Sequence, residues 1–171
     1  MVWAAPTPGP VDGPLTGADR PMLEGYLAWQ RRNLLNICAG LSGEQLAGRP
    51  LASSDLSLLG LIRHLAKVER TWFRQRAAGQ PIEAMYDPSL GKDADFDHID
   101  PAQAESDIER LEQEWRHADE AVAGMSFDDT FDVGGEVFSL RMTYVHMIGE
   151  YARHNGHADL LRQSIDGVTG R

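Results

Sequence analysis

The chain has 171 residues, enough for one domain with its own core, and its 42% hydrophobic and 25% charged composition is ordinary for a soluble protein. Lys and Arg number 16 against 26 acidic residues, a formal net charge of −10. That balance disfavours nucleic acid and anionic membranes as partners, because both need a basic face. No run approaches the roughly eighteen apolar residues of a membrane span, and a lone cysteine, Cys38, fits a reducing cytoplasm.

Residues 1–19 hold Pro6, Pro8, Gly9, Pro10, Gly13 and Pro14, with no basic start and no apolar core of a signal peptide. They read as a mobile arm before a domain spanning 20–171. A first helix is expected over 21–39, with Leu23, Leu27, Leu34 and Cys38 on its apolar face and Asp19 before its start. Ser42-Gly43-Glu44-Gln45 follows with the pattern of a capping box.

The second helix is expected over 55–78, capped by Ser54 or Asp55, with Leu58, Leu61, Ile62, Leu65, Val68 and Trp72 recurring at three and four residues. Gly79 and Pro81 end it. Residues 80–99 are acidic and irregular and read as an exposed crossover loop. Asp100 and Pro101 are a good N-cap and first residue for a third helix reaching about Met125. The stretch 126–138, with Phe127, Phe131, Gly134 and Gly135, fits either a hairpin or a buried loop. A fourth helix runs from near Ser139 to a stop at Gly167. Four amphipathic helices without a convincing strand set predict an all-α four-helix bundle.

The fourth helix carries the chemistry. His146, Glu150, His154 and His157 fall within an arc of about 80° on a helix, in a stripe about 16 Å long. That is too long for one ion, but Glu150 and His154 at the i, i+4 spacing can share one. His64 lies beside the inner stripe of the second helix. Alone it reads as a histidine satisfied by a neighbour. Together with Glu150 and His154 it completes three N/O ligands with a coordination position left open, the catalytic type of site. The alternative is a solvated face of i, i+4 pairs. His157 is a candidate fourth ligand or orienting donor, and His146 is expected to pack or to hydrogen-bond Glu150. Asp159 and Glu69 are candidate carboxylates for orienting the histidines. His98 and His117 look incidental, and Cys38 reads as a small core residue.

The stretch from Leu56 to Phe73, containing His64, resembles the second helix of the DinB/YfiT-like superfamily of metalloenzymes. The stretch from Val145 to Gly167 resembles the fourth helix of an actinobacterial branch related to mycothiol-dependent S-transferases and maleylpyruvate isomerase. The resemblance covers residues 20–170. It implies a four-helix bundle, often a homodimer, holding a divalent metal through one ligand on the second helix and two on the later one. Carried over by position, these are His64, Glu150 and His154. Many members have His at the place of Glu150, and Arg-Gly-Gln where this chain has Asn155-Gly156-His157. Zinc is the expected ion, with nickel, manganese or iron as alternatives. The implied activity joins a small thiol of the mycothiol type to a small electrophile. An isomerase or hydrolase using the same site, or a non-enzymatic stress-response bundle, are the other readings.

Overall fold

The computed structural model describes residues 3–169, which are mostly helical. Helix α1 spans Asp19–Cys38 and α2 Gly43–Ala47. Helix α3 spans Leu58–Glu69 and continues without a break into a π-helical segment, Arg70–Ala77. Short turns at Pro88–Leu90 and Pro101–Gln103 flank α4, Ala94–Asp97. Helix α5 spans Ala104–Val122 and α6 Leu140–Asp166. Between them lies an antiparallel hairpin of β1, Thr130–Val133, and β2, Glu136–Ser139.

The hairpin settles the open reading of 126–138 and departs from the all-α expectation. Gly134 and Gly135 both have positive φ (65° and 89°), the backbone that a two-residue turn between twisted strands requires. Phe131 faces Phe138 across the pair, and their rings stack at 6.0 Å. Phe138 in turn sets its edge against Trp72, 5.6 Å away on the π segment.

Local signals explain most helix ends. Ser42 and Gln45 form the full reciprocal box at the start of α2. Asp100 accepts from the Ala102 amide at 2.9 Å, although the turn it caps is 3₁₀ before α5 begins. Ser139 caps α6, and Gly167 (φ 79°) closes it in the left-handed conformation. The start of α3 differs from expectation. Its cap is Ser57, which accepts from Gly60 at 3.0 Å, because residues 51–57 stay non-helical. Its far end differs too: beyond Glu69 the turns widen, with the Ala78 amide bonding the Phe73 carbonyl. Arg70 and Arg74, both in the widened segment, pair with the buried Glu114 on α5.

Helix α1 packs chiefly along α6, and α3 along α5. The core between them includes Leu27, Leu34, Leu61, Ile62, Leu65, Leu111, Tyr144, Met147, Tyr151 and Leu161, all essentially inaccessible. Burying each such side chain contributes about 1.5–3 kcal/mol before chain entropy is counted. The Pro/Gly-rich arm, expected to be mobile, is tied to this body. Ala5 is buried and exchanges backbone hydrogen bonds with Leu41 and Gly40, and Pro14 lies against Gly25. Among the described residues no helix is long and apolar enough to cross a membrane.

Candidate metal centre

His64 follows the buried triplet Leu61-Ile62-Arg63 on α3, so it emerges at the edge of the core, half-buried. Helix α6 buries Met147, Tyr151, Ala158 and Leu161. Glu150 and His154 sit beside that stripe, one turn apart, and face α3. The ring centroids of His64 and His154 are 4.9 Å apart, and His154 Nε2 lies 3.4 Å from Glu150 Oε2. One ligand atom from each of His64, Glu150 and His154 falls within 4.8 Å of the others. Two helices thus bring together the three residues singled out in the sequence.

The donor set suits a divalent ion. Tetrahedral bonds of about 2.1 Å place neighbouring ligand atoms about 3.4 Å apart, which the Glu150–His154 pair already matches. The atom from His64 lies within 4.8 Å of both. His64 Nδ1 is 2.8 Å from Asp95 Oδ2, so the ring donates there and keeps Nε2 as an acceptor. Burial and the neighbouring His64 lower the His154 pKa to about 4 against the pull of Glu150, leaving the ring neutral near pH 7 and able to ligate.

Asp95 is the partner of His64 that the sequence did not point to. The acidic loop was expected to be exposed, yet Asp95 is fully buried on α4. Its second oxygen is 2.6 Å from Lys67 Nζ. Burial pushes its carboxyl up, but the bonds from His64 and Lys67 prevail and hold it below the usual range. The next residue, Phe96, lies over the His64 ring at 4.9 Å. Phe96, an aromatic residue set between Asp95 and Asp97, was the available signal that this segment docks.

The other candidates are placed elsewhere or at the margin. His157 Nδ1 is 3.4 Å from His154 Nδ1, on the side of that ring away from Glu150. His146 lies against Trp72, with ring centroids 4.3 Å apart and the planes inclined by 47°. Asp159 lies on the far side of α6, lining a cavity against α1. Glu69 is buried in a bidentate pair with Arg31, at 2.8 and 2.9 Å. Arg31 also reaches Asp119, so one guanidinium links α1, α3 and α5. His117 meets Arg74 at 3.3 Å, outside the cluster. Cys38 is fully buried, as a core residue should be.

Three side chains with nitrogen and carboxylate ligand atoms, converging from two helices of one domain, define the class: a helical protein with an open site able to hold a metal ion. The family model described as Mycothiol-S-transferase matches residues 22–167, and the chain belongs to that family. The match spans His64, Asp95, Glu150 and His154. No curated protein and no solved structure matches the chain.

Proposed function

We propose that this protein is a divalent-metal-dependent S-transferase that joins a low-molecular-weight thiol of the mycothiol type to an electrophilic small molecule. The observation that carries this reading is the convergence of His64, Glu150 and His154 in a chain of the mycothiol-S-transferase family. These three residues would hold the ion, with zinc expected first and nickel, manganese or iron as alternatives. When bound, a zinc-like ion supplies a coordination position at which a thiol is deprotonated outright.

The chain's own residues prepare that position. Asp95 fixes the His64 ring by holding its Nδ1 proton, and the neutral His154 presents an acceptor nitrogen. Glu150 contributes a carboxylate oxygen, so the three ligands together carry one negative charge and leave the site with net positive character once a divalent ion is present. His157 beside His154 and His146 on Trp72 border the ligands without joining them. The transfer itself forms a bond from sulfur to the electrophilic carbon; in a substitution the leaving group departs with its bonding pair, and in an addition the displaced π pair takes a proton from solvent on the neighbouring atom. The thiol proton passes to solvent.

In this reading α1, α3 with its π extension, α5 and α6 are the four helices of a DinB-type bundle, and residues 20–171 form its domain. The enzyme works in the cytoplasm as a homodimer. Exposed apolar side chains on α6 (Met142, Val145 and Leu160) are the surface feature in favour of self-association, which light scattering at micromolar concentration checks.

Metal content of the tag-free protein, measured by mass spectrometry beside Glu150→Ala and His154→Ala, tests the site. About one ion per chain, lost in both variants, followed by thiol consumption with a panel of electrophiles, is the expected result. Turnover without added thiol would favour the isomerase or hydrolase reading. A protein that takes up no zinc, nickel or manganese would return the non-enzymatic bundle.

A further inference from the structure

A second cavity lies on the opposite side of α6 from the metal ligands. Its volume is about 540 Å³, within the size range of small-molecule sites. Trp29, Asn33, Asn36 and Ile37 line it from one face of α1, and Asn155, Asp159 and Arg162 from α6. Positions 155, 159 and 162 point about 140° around the helix from positions 150, 154 and 157. The two sites therefore share a helix but not a face.

Its polar groups are unevenly satisfied. Arg162 is fully engaged in structure: it pairs with Asp166 at 2.9 Å and donates to the carbonyls of Ile37 and Ala39 at 2.7 and 2.8 Å. Its charge is thereby neutralised. Asn155 is only 7% exposed, and its amide nitrogen donates to the Gln30 carbonyl and side chain at 3.0 and 2.7 Å. That fixes the amide orientation and leaves its oxygen as an acceptor. Among the described residues, Asn155 Oδ1 and Asp159 Oδ1 are buried with no hydrogen-bond partner. Each such orphan costs about 1–3 kcal/mol, and both stand within one cavity, one helical turn apart. The cavity thus presents two acceptors without donors, one of them a carboxylate oxygen with no cation paired to it.

We propose that this cavity binds a small organic ammonium compound bearing hydroxyl groups, with Asp159 pairing the ammonium and Asn155 accepting from an adjacent O–H or N–H. The Trp29 indole forms an apolar wall for the carbon skeleton, and Asn33 and Asn36 offer further amide groups along α1. The proposal does not depend on the metal reading, because none of these residues is among the metal ligands.

Ligand-observed NMR titration with N-methylglucamine, sorbitol and tetramethylammonium on the full chain provides the test. N-methylglucamine and sorbitol share a hydroxylated skeleton and differ in the cation; tetramethylammonium is a cation without donors. Binding of N-methylglucamine at least about tenfold tighter than either control is expected. Asp159→Asn should weaken it by a similar factor, and Glu150→Ala should leave it unchanged. Equal binding of sorbitol, no binding of N-methylglucamine at millimolar concentration, or undiminished binding to Asp159→Asn would each overturn the proposal. The wild-type comparison decides the matter even if the variant does not fold. Thermal unfolding adds a check: a carboxylate kept for a ligand rather than for packing predicts that Asp159→Asn melts no lower than wild type.

Discussion

Replacing Asp95 should weaken metal binding without touching a ligand. Its carboxylate holds His64 Nδ1 at 2.8 Å and is itself fixed by Lys67 at 2.6 Å. Carboxylates in this relation to a ligating histidine contribute about 10–100-fold in metal affinity, or about 1.4–2.7 kcal/mol at 1.36 kcal/mol per tenfold. The two obvious variants divide that range. Asp95→Asn keeps an oxygen that accepts from Nδ1 but removes the charge, so a loss near tenfold is expected. Asp95→Ala removes the acceptor as well and frees the ring to rotate, so the loss should approach a hundredfold. Competition against a chromogenic zinc chelator gives both constants, and circular dichroism establishes that the helices persist. Arg63 would still bond the Asp95 backbone carbonyl in either variant, which keeps α4 seated. Zinc affinity unchanged in both variants would refute the argument, and equal losses in the two would refute its division between charge and hydrogen bond.

Glu69→Ala should cost about 3–5 kcal/mol in urea unfolding, because it strands the buried Arg31 guanidinium; a loss below about 1 kcal/mol would mean that Asp119 alone suffices. Burial pushes the Cys38 thiol up to about 12, so a maleimide at pH 8 should label it only after denaturant is added. In metal-free protein the His154 pKa lies near 4 against 6.5 unfolded, so the unfolded chain binds more protons between those values. That stabilising contribution is complete above pH 6.5 and fades as pH falls toward 4, and His154→Gln should flatten the urea midpoint across this window. A Cβ added at Gly25 would lie 2.5 Å from Pro14 Cδ, so Gly25→Ala should loosen the N-terminal arm, read as faster proteolysis before residue 19 with the helical body intact.

What the sequence made legible were features whose physics is local. The three candidate ligands sit on long helices with clear caps, and i, i+4 spacing alone places Glu150 beside His154. The caps at Ser42, Asp100, Ser139 and Gly167 involve partners within four residues. Asp95 was not legible in this way. It meets His64 across 31 residues of chain, and nothing in the run Asp93, Asp95, Asp97, Asp100 separates the one buried carboxylate from its solvated neighbours. The π segment escaped for a related reason: Arg70–Ala77 has the composition of an ordinary helix, and its widening is seen only alongside Glu114 and the hairpin. Glu69 shows the reverse error. Its position one and a half turns beyond His64 invited a role at the metal, but that offset turns it inward to Arg31.

These placements explain how the candidate metal-binding group is held in place. Glu150 and His154 are one turn apart on a 27-residue helix whose buried face is locked into the core by Tyr144, Met147 and Tyr151. The Arg31–Glu69 pair ties α1 to the end of α3, which sets the height at which His64 meets α6. What remains adjustable is the His64 ring, and only there does the chain add a dedicated restraint, from a four-residue helix in a long loop. The rigid part of the centre therefore comes from secondary structure that the sequence specifies within a few turns. Its final alignment is delegated to a loop that Arg63 holds through the Ala94 and Asp95 carbonyls. Each donor nitrogen is held by a different device, His154 by burial and His64 by a carboxylate. Glu150 stands one turn from His154 on the same helix, so the three candidate ligand atoms come within 4.8 Å of one another.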